Sequence, residues 1–114
     1  MKLTDLPQTL VTEDLVIGEG RSAEAGCDIV VHYVGCTADG RQFDNSRARN
    51  EPLDFPLGAG QMIPGWEQGL PGMKVGGKRR LVIPPALAYR DQGLAGVIAP
   101  NATLVFDLEQ LEVA

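Results

Sequence analysis

The side chains able to do covalent or metal chemistry are few, and their spacing does not suit it. His32 is the single histidine, and it alternates with Tyr33 along one β-branched stretch, so the two point to opposite faces of a strand. A metal site would have to join His32 to Cys27, Cys36 or carboxylates, at no recognisable ligand spacing. His32 therefore reads as a surface or edge histidine. Ser22 and Ser46 are the two serines, and neither stands in a nucleophile elbow. Gly18-Glu19-Gly20 and Gly58-Ala59-Gly60 lack both the P-loop Lys-Ser/Thr pair and the dinucleotide fingerprint. The Lys78-Arg79-Arg80 run resembles an anion patch, but a solvated strand edge is the simpler reading. Nucleophilic, metal and phosphoryl chemistry find no support, and no cofactor is expected. What remains is a pocket built from aromatic rings and a few polar groups.

The element that must position such a pocket is residues 58–73, which hold the only tryptophan, Trp66. Pro64 suits the first turn of a helix, because its φ is already helical and its missing N–H would be unpaired there. Pro71-Gly72 ends that helix within about two turns, since proline cannot continue the ladder. Gly65 and Gly69 each cost about 1 kcal/mol relative to alanine in a helix. So short a helix cannot stand on propensity, and packing through Trp66 against a sheet must hold it. With Gln61-Met62-Ile63 just ahead, the indole is the expected pocket floor.

The strands follow from alternation and turn chemistry. Thr9–Ile17 reads as a first strand. Cys27–Thr37 is the strongest, with Ile29, Val31 and Tyr33 on one face and Asp28, Val30, His32 and Val34 on the other. Asp39-Gly40 is a hairpin signal that folds Arg41–Asp44 back antiparallel. A charged loop covers 45–52, and Leu53–Leu57 is a short strand. Lys78–Ile83 is a strand with Leu81 and Ile83 facing the core. Arg79 shares their parity and is expected near an edge, its head snorkelling to water. Pro84-Pro85 closes that strand. Residues 86–100 form a long loop of the kind that serves as a lid or binding loop. Thr103–Val113 is the last strand, with Leu104, Phe106 and Leu108 on one face. The fold class is α+β: a twisted antiparallel sheet of five to six strands wrapped around one short helix.

A length of 114 residues fits one domain, 1–114, with 1–8 as a loose N-terminal segment. Apolar content of 44% and charged content of 22% suit a soluble globular chain. A net charge of −5 argues against nucleic acid or an anionic membrane as the main partner. No apolar run approaches the about 18 residues of a membrane span. The start, Met1-Lys2-Leu3-Thr4-Asp5, has no apolar leader segment, so cytoplasmic residence is expected. If 27–37 is one strand, Cys27 and Cys36 lie about 30 Å apart on opposite faces, far beyond disulfide reach. Two thiols in a reducing compartment is the expectation.

Beyond these readings, a set of motifs resembles one family. Tyr33, Asp39-Gly40-Arg41-Gln42-Phe43-Asp44-Asn45-Ser46, Ile63-Pro64-Gly65-Trp66-Glu67-Gln68-Gly69, Ala88-Tyr89 and Ala102-Thr103-Leu104-Val105-Phe106-Asp107 occur in order. They are similar to the FKBP-type peptidyl-prolyl isomerases, the immunophilins that bind tacrolimus and rapamycin, in the minimal single-domain form. The resemblance runs from about residue 15 to the C-terminus. It implies an enzyme that speeds X-Pro rotation in peptides and unfolded chains by non-covalent binding. The alternative is a non-catalytic proline-binding adaptor or chaperone module using the same groove.

By that resemblance Trp66 forms the pocket floor, Tyr33, Phe43 and Phe106 its walls, and Met62 and Ile63 one rim. The Ile63 N–H and the Tyr89 hydroxyl would bond substrate carbonyls. Asp44 would sit at the polar edge, bonded to Tyr33 and paired with Arg49. Phe55 and Ile98 would line the outer rim. Leu53 stands where the family often has phenylalanine, Arg90 where a glycine is usual, and Leu94-Ala95 at a differently built loop tip. These rim changes bear on peptide preference. The implied partners are proline-containing peptides, unfolded chains and the two macrolides, and the expected form is a monomer.

Overall fold

The computed structural model describes residues 6–114; within the N-terminal segment, residues 1–5 lie outside that range. Two apolar stretches rich in valine and leucine become the two longest strands. β2 (Asp28–Thr37) and β6 (Leu104–Val113) pair antiparallel along nearly their full length, with Tyr33 opposite Leu108 and Gly35 opposite Phe106. On the far side of β6 lies β5 (Lys78–Ile83), and outside β5 lies β1 (Val11–Val16). On its other side β2 receives β4 (Leu53–Pro56) along its first half and β3 (Gln42–Asn45) along its second. The Asp39-Gly40 turn joins β2 to β3, with Gly40 at φ 93°. Six antiparallel strands with one short helix match the expected α+β architecture.

The helix α1 (Pro64–Gly69) starts at Pro64, and Leu70 N–H closes its last turn on the Trp66 carbonyl at 3.1 Å. Its glycines have a packing purpose. A Cβ on Gly65 would stand 2.5 Å from Ile83 Cγ2, and one on Gly69 would stand 2.8 Å from Leu81 Cδ2. Glycine thus gives up helix propensity to bring the helix backbone onto β5, where Leu81 and Ile83 are fully buried. That close approach drives the Trp66 indole into the core between helix and sheet.

Arg79 departs from expectation. β5 is an interior strand between β1 and β6, not an edge, and the Arg79 side chain is only 12% exposed. Its guanidinium donates to the carbonyls of Gly69 at 2.8 Å and Pro71 at 3.1 Å, and its Nε to Asp14 at 2.7 Å. The last carbonyls of a helix have no partner of their own and carry partial negative charge, so they draw the cation inward rather than letting it reach water. Arg80, on the opposite face, is likewise paired, holding Asp107 through two bonds of 2.7 and 2.9 Å. That bidentate bond to Asp107 raises the Arg80 pKa above its ordinary value. Both arginines of the basic run are therefore ion-paired, and the strand that carries them is not a free edge.

Gln110 is a polar side chain with 0% exposure. Its amide donates to the carbonyls of Val30 at 3.1 Å and Glu112 at 2.7 Å. The β2–β6 register slips between Val30 and Val31, and the amide takes up a carbonyl there. A slipped ladder leaves a buried acceptor that some side chain must satisfy.

Candidate functional site

Alternation along β2 puts Tyr33 and Gly35 on the inner face with the buried Ile29 and Val31. From β6, Phe106 faces Gly35; from β3, Phe43 approaches the same spot. A Cβ on Gly35 would lie 2.8 Å from both phenylalanine rings. A missing side chain in mid-strand is what admits two rings there, and a glycine inside an otherwise β-branched run is the sequence signal for such a close approach. Helix α1 brings Trp66 underneath. The rings meet mostly edge to face: Tyr33–Trp66 at 5.1 Å, Trp66–Phe106 at 5.2 Å and Phe43–Phe106 at 5.7 Å between centroids. Such pairs add about 0.5–1.5 kcal/mol each beyond area burial, so the cluster is a rigid wall.

Together they enclose an open cavity of about 400 Å³. Its lining brings together Tyr33, Phe43, Asp44, Leu53, Met62, Ile63, Trp66, Tyr89 and Phe106, all singled out from the sequence, and adds Gln61 from the loop ahead of the helix. Tyr89 comes from the long loop, where Gly93 N–H bonds the Tyr89 carbonyl at 3.0 Å. Further along, Leu94 and Ile98 exchange two bonds of 2.8 Å.

Two expected rim residues are not in the lining. Phe55 is 3% and Ile98 4% exposed. Phe55 packs 5.8 Å from Trp66 from within the core, because its β4 register opposite Ile29 turns it inward. Ile98 belongs to the same core cluster. Phe55 thus backs the indole from within the core. Arg49 also stays outside the lining and reaches the site through Asp44.

Asp44 holds the polar edge. The Tyr33 hydroxyl donates to its Oδ2 at 2.5 Å, and Asn45 N–H donates to Oδ1 at 2.9 Å. Arg49 donates to the same Oδ1, and its guanidinium lies over the Tyr33 ring, 6.0 Å from the centroid. Arg49 also donates to the Tyr33 oxygen at 3.4 Å, and this bond raises the Arg49 pKa above its ordinary value. The Trp66 Nε1–H is buried without a partner among the described residues.

Arg90 takes φ 55°, the left-handed region that favours glycine, which is the residue expected at this position. Its N–H bonds the Pro85 carbonyl at 2.9 Å, and its carbonyl accepts from Asn101 at 2.7 Å. His32 is half-buried rather than on an open surface or edge, with Nδ1 2.8 Å from Ser46 Oγ. Ser46 is fully buried, which its place in a charged stretch of sequence does not suggest. Among the described residues no group of three or more His, Cys, Asp or Glu could hold a metal ion. Nor is any helix among them long and apolar enough to cross a membrane. The cavity offers apolar walls, hydroxyls and backbone, and no paired nucleophile and base.

Comparison with known proteins agrees with this geometry. The family model described as FKBP-type peptidyl-prolyl cis-trans isomerase matches residues 19–111. An FK506-binding protein of Neisseria meningitidis serogroup A is 49% identical over 105 residues, covering 92% of this chain and 96% of that protein. One from Streptomyces anulatus is 52% identical over 102 residues, covering 88% of this chain and 82% of that protein. The crystal structure of AtFKBP13 superposes with a TM-score of 0.86 at 42% identity, covering 96% of each chain. That of FkpA from Escherichia coli gives 0.82 at 48% identity, covering 91% of this chain and 47% of that one.

Proposed function

The chain belongs to the FKBP-type peptidyl-prolyl cis-trans isomerases, and we propose accordingly that its five-ring cavity is where the X-Pro bond turns. The observation that carries this reading is the cavity itself, with rings on most sides and no nucleophile poised within it.

The chemistry asked of it is modest. An X-Pro bond rotates over a barrier of about 20 kcal/mol because rotation breaks amide resonance. Uncatalysed exchange takes about 10–100 s. Bringing that to about 10 ms needs three to four decades, or about 4–5.5 kcal/mol. The planar amide is more polar than the twisted one. Apolar walls formed by Tyr33, Phe43, Trp66 and Phe106 therefore disfavour the ground state relative to the transition state. The Tyr89 hydroxyl and the Ile63 N–H hold the flanking carbonyls while the other end turns. Asp44, already bonded by Tyr33 and Arg49, keeps the tyrosine ring in place. Leu53 and Met62 border the entrance and meet the residue before proline.

The family's general ligands are proline peptides and macrolides. We infer that this chain takes unfolded segments and short X-Pro peptides, and that tacrolimus and rapamycin compete for the same hollow. Two unpaired cysteines, Cys27 and Cys36, favour a reducing, cytoplasmic setting. A monomer acting as one domain over 1–114 completes the reading. The test is isomerisation of a proline tetrapeptide with the purified protein. Acceleration that either macrolide abolishes is expected; no acceleration would leave a binding module and not an enzyme.

A further inference from the structure

We propose that Ser46 is a positioning residue for the pocket, and that it passes the charge state of His32, on the other face of the sheet, to Tyr33. The proposal rests on the isomerase reading of the cavity, since Tyr33 is one of its walls.

Ser46 follows β3 and has 0% exposure. It grips the Tyr33 backbone at both polar atoms. Tyr33 N–H donates to Ser46 Oγ at 2.7 Å, and Ser46 N–H donates to the Tyr33 carbonyl at 2.9 Å. Two residues earlier, Asp44 accepts from the Tyr33 hydroxyl at 2.5 Å. The segment from Asp44 to Ser46 thus clamps one tyrosine at its ring tip and at its main chain. A ring held at both ends presents a fixed wall, and small displacements of a wall are felt in rate.

The same Oγ lies 2.8 Å from His32 Nδ1 and 3.3 Å from the Tyr33 carbonyl. A serine has one proton to give and two lone pairs to receive with. When the imidazole is neutral with Nδ1 bare, the hydroxyl donates to it, and Tyr33 N–H has the stronger claim on Oγ. When Nδ1 carries a proton, His32 donates to Oγ, and the hydroxyl proton must turn to the Tyr33 carbonyl. Oγ then serves two donors, and its bond to Tyr33 N–H weakens. Protonating His32 therefore loosens the clamp.

The imidazole has a way to exchange protons. On the outer face of the sheet a cavity of about 240 Å³ is lined by His32, Arg47, Lys78, Asp107 and Glu109 among others. Glu109 stands directly across the ladder from His32 and is ion-paired with Arg47. Lys78 faces Glu109 from β5, and Arg80 holds Asp107. The charged groups that line this cavity with His32 are the cations Arg47 and Lys78 and the carboxylates Asp107 and Glu109, while Asp54 of β4 pairs with Val30, two positions before His32 on the same face. Tyr33 borders both this cavity and the aromatic one. One residue thus spans the sheet between a titratable face and the isomerase face.

The experiment compares the unmodified protein, Ser46→Ala and His32→Gln. Each is followed by proline-peptide kcat/KM and by amide NMR over about pH 5 to 8, where imidazoles change charge. In the unmodified protein the Tyr33 amide proton should move with the His32 ring signals, and kcat/KM should fall about threefold toward the acid side. Since His32 is the only histidine, a step in this window points to it. His32→Gln should lose both the step and the amide movement. Ser46→Ala should lower kcat/KM about tenfold and lose the step even though it keeps His32. Should Ser46→Ala fail to fold, His32→Gln decides alone. A Tyr33 amide indifferent to His32, a step that survives in His32→Gln, or unmodified kcat/KM in folded Ser46→Ala would each overturn the proposal. An unmodified protein without isomerase activity would undo the reading of the pocket instead, and the amide coupling would still be judged.

Discussion

The Tyr33 hydroxyl and the Asp44 carboxylate meet at 2.5 Å, with Arg49 on the second carboxylate oxygen. Both oxygens of Asp44 are thereby committed before any substrate arrives, which makes the residue an anchor and not a free base. Replacing it by valine strips the tyrosine of its acceptor and the arginine of its partner. Asp44→Val is expected to lower kcat/KM about tenfold, while the folded state loses about 1–3 kcal/mol. Peptide kinetics beside a urea melt checks this. Unmodified rates in a folded variant would move the site elsewhere.

Trp66 is the sole tryptophan and lies in the cavity lining. A macrolide seated over the indole should quench its emission in a one-to-one titration, and the same titration should abolish peptide turnover. Emission unchanged at saturating tacrolimus, with turnover intact, would show that the ligand does not enter this hollow.

Gly65 sets helix propensity against packing. Alanine there gains about 1 kcal/mol as a helix former. Its methyl, however, would stand 2.5 to 2.8 Å from three atoms of the buried Ile83, and such overpacking costs about 1–3 kcal/mol. Gly65→Ala is therefore expected to be net destabilising. Adding Ile83→Val removes one of the three clashing atoms, so the double variant should be more stable than the sum of the singles by about 0.5 kcal/mol or more. Strict additivity in urea melts would mean the two residues do not press on each other.

Arg79 and Asp14 form an ion pair with unequal stakes. The arginine side chain is 12% exposed and the aspartate side chain 44%. Asp14→Asn should therefore cost under about 1 kcal/mol, as exposed pairs do. Arg79→Met leaves the Gly69 and Pro71 carbonyls without their donor and should cost about 1–3 kcal/mol. Equal midpoints for the two variants in urea would refute this ordering.

Much of the fold was readable from local chemistry. The Pro64 start and Pro71-Gly72 stop bracket α1, the Asp-Gly turn makes the β2–β3 hairpin, and alternation sets the inner faces of β2 and β6. The cavity's lining was readable through the family resemblance, on whose positions the aromatics fall, and five of the chain's six line one hollow. What stayed hidden depends on strand order, a long-range property. Arg79 was expected at an edge because nothing near it in sequence shows that β1 lies outside β5. Phe55 and Ile98 were expected at the rim from the resemblance, and a matching motif position does not give the depth of a side chain. Gly35 and Ser46 gave weak signals because their roles are defined by partners distant in the chain. Ser46 receives the Tyr33 N–H, 13 positions back in a neighbouring strand, and Gly35 makes room for Phe106 across the ladder.

β1 is the outermost strand, exposed along its whole length. Yet its Asp14 grips the arginine that holds the last turn of α1, one turn beyond Trp66. The connection runs through a charged pair and two carbonyls, beside the packing of α1 on Leu81 and Ile83 of β5. The outermost strand is thereby fastened to the end of the helix that carries the floor of the hollow. A strand absent from the lining is thus a light stay on the helix beneath it, one that the exposed Asp14 lets go at little cost.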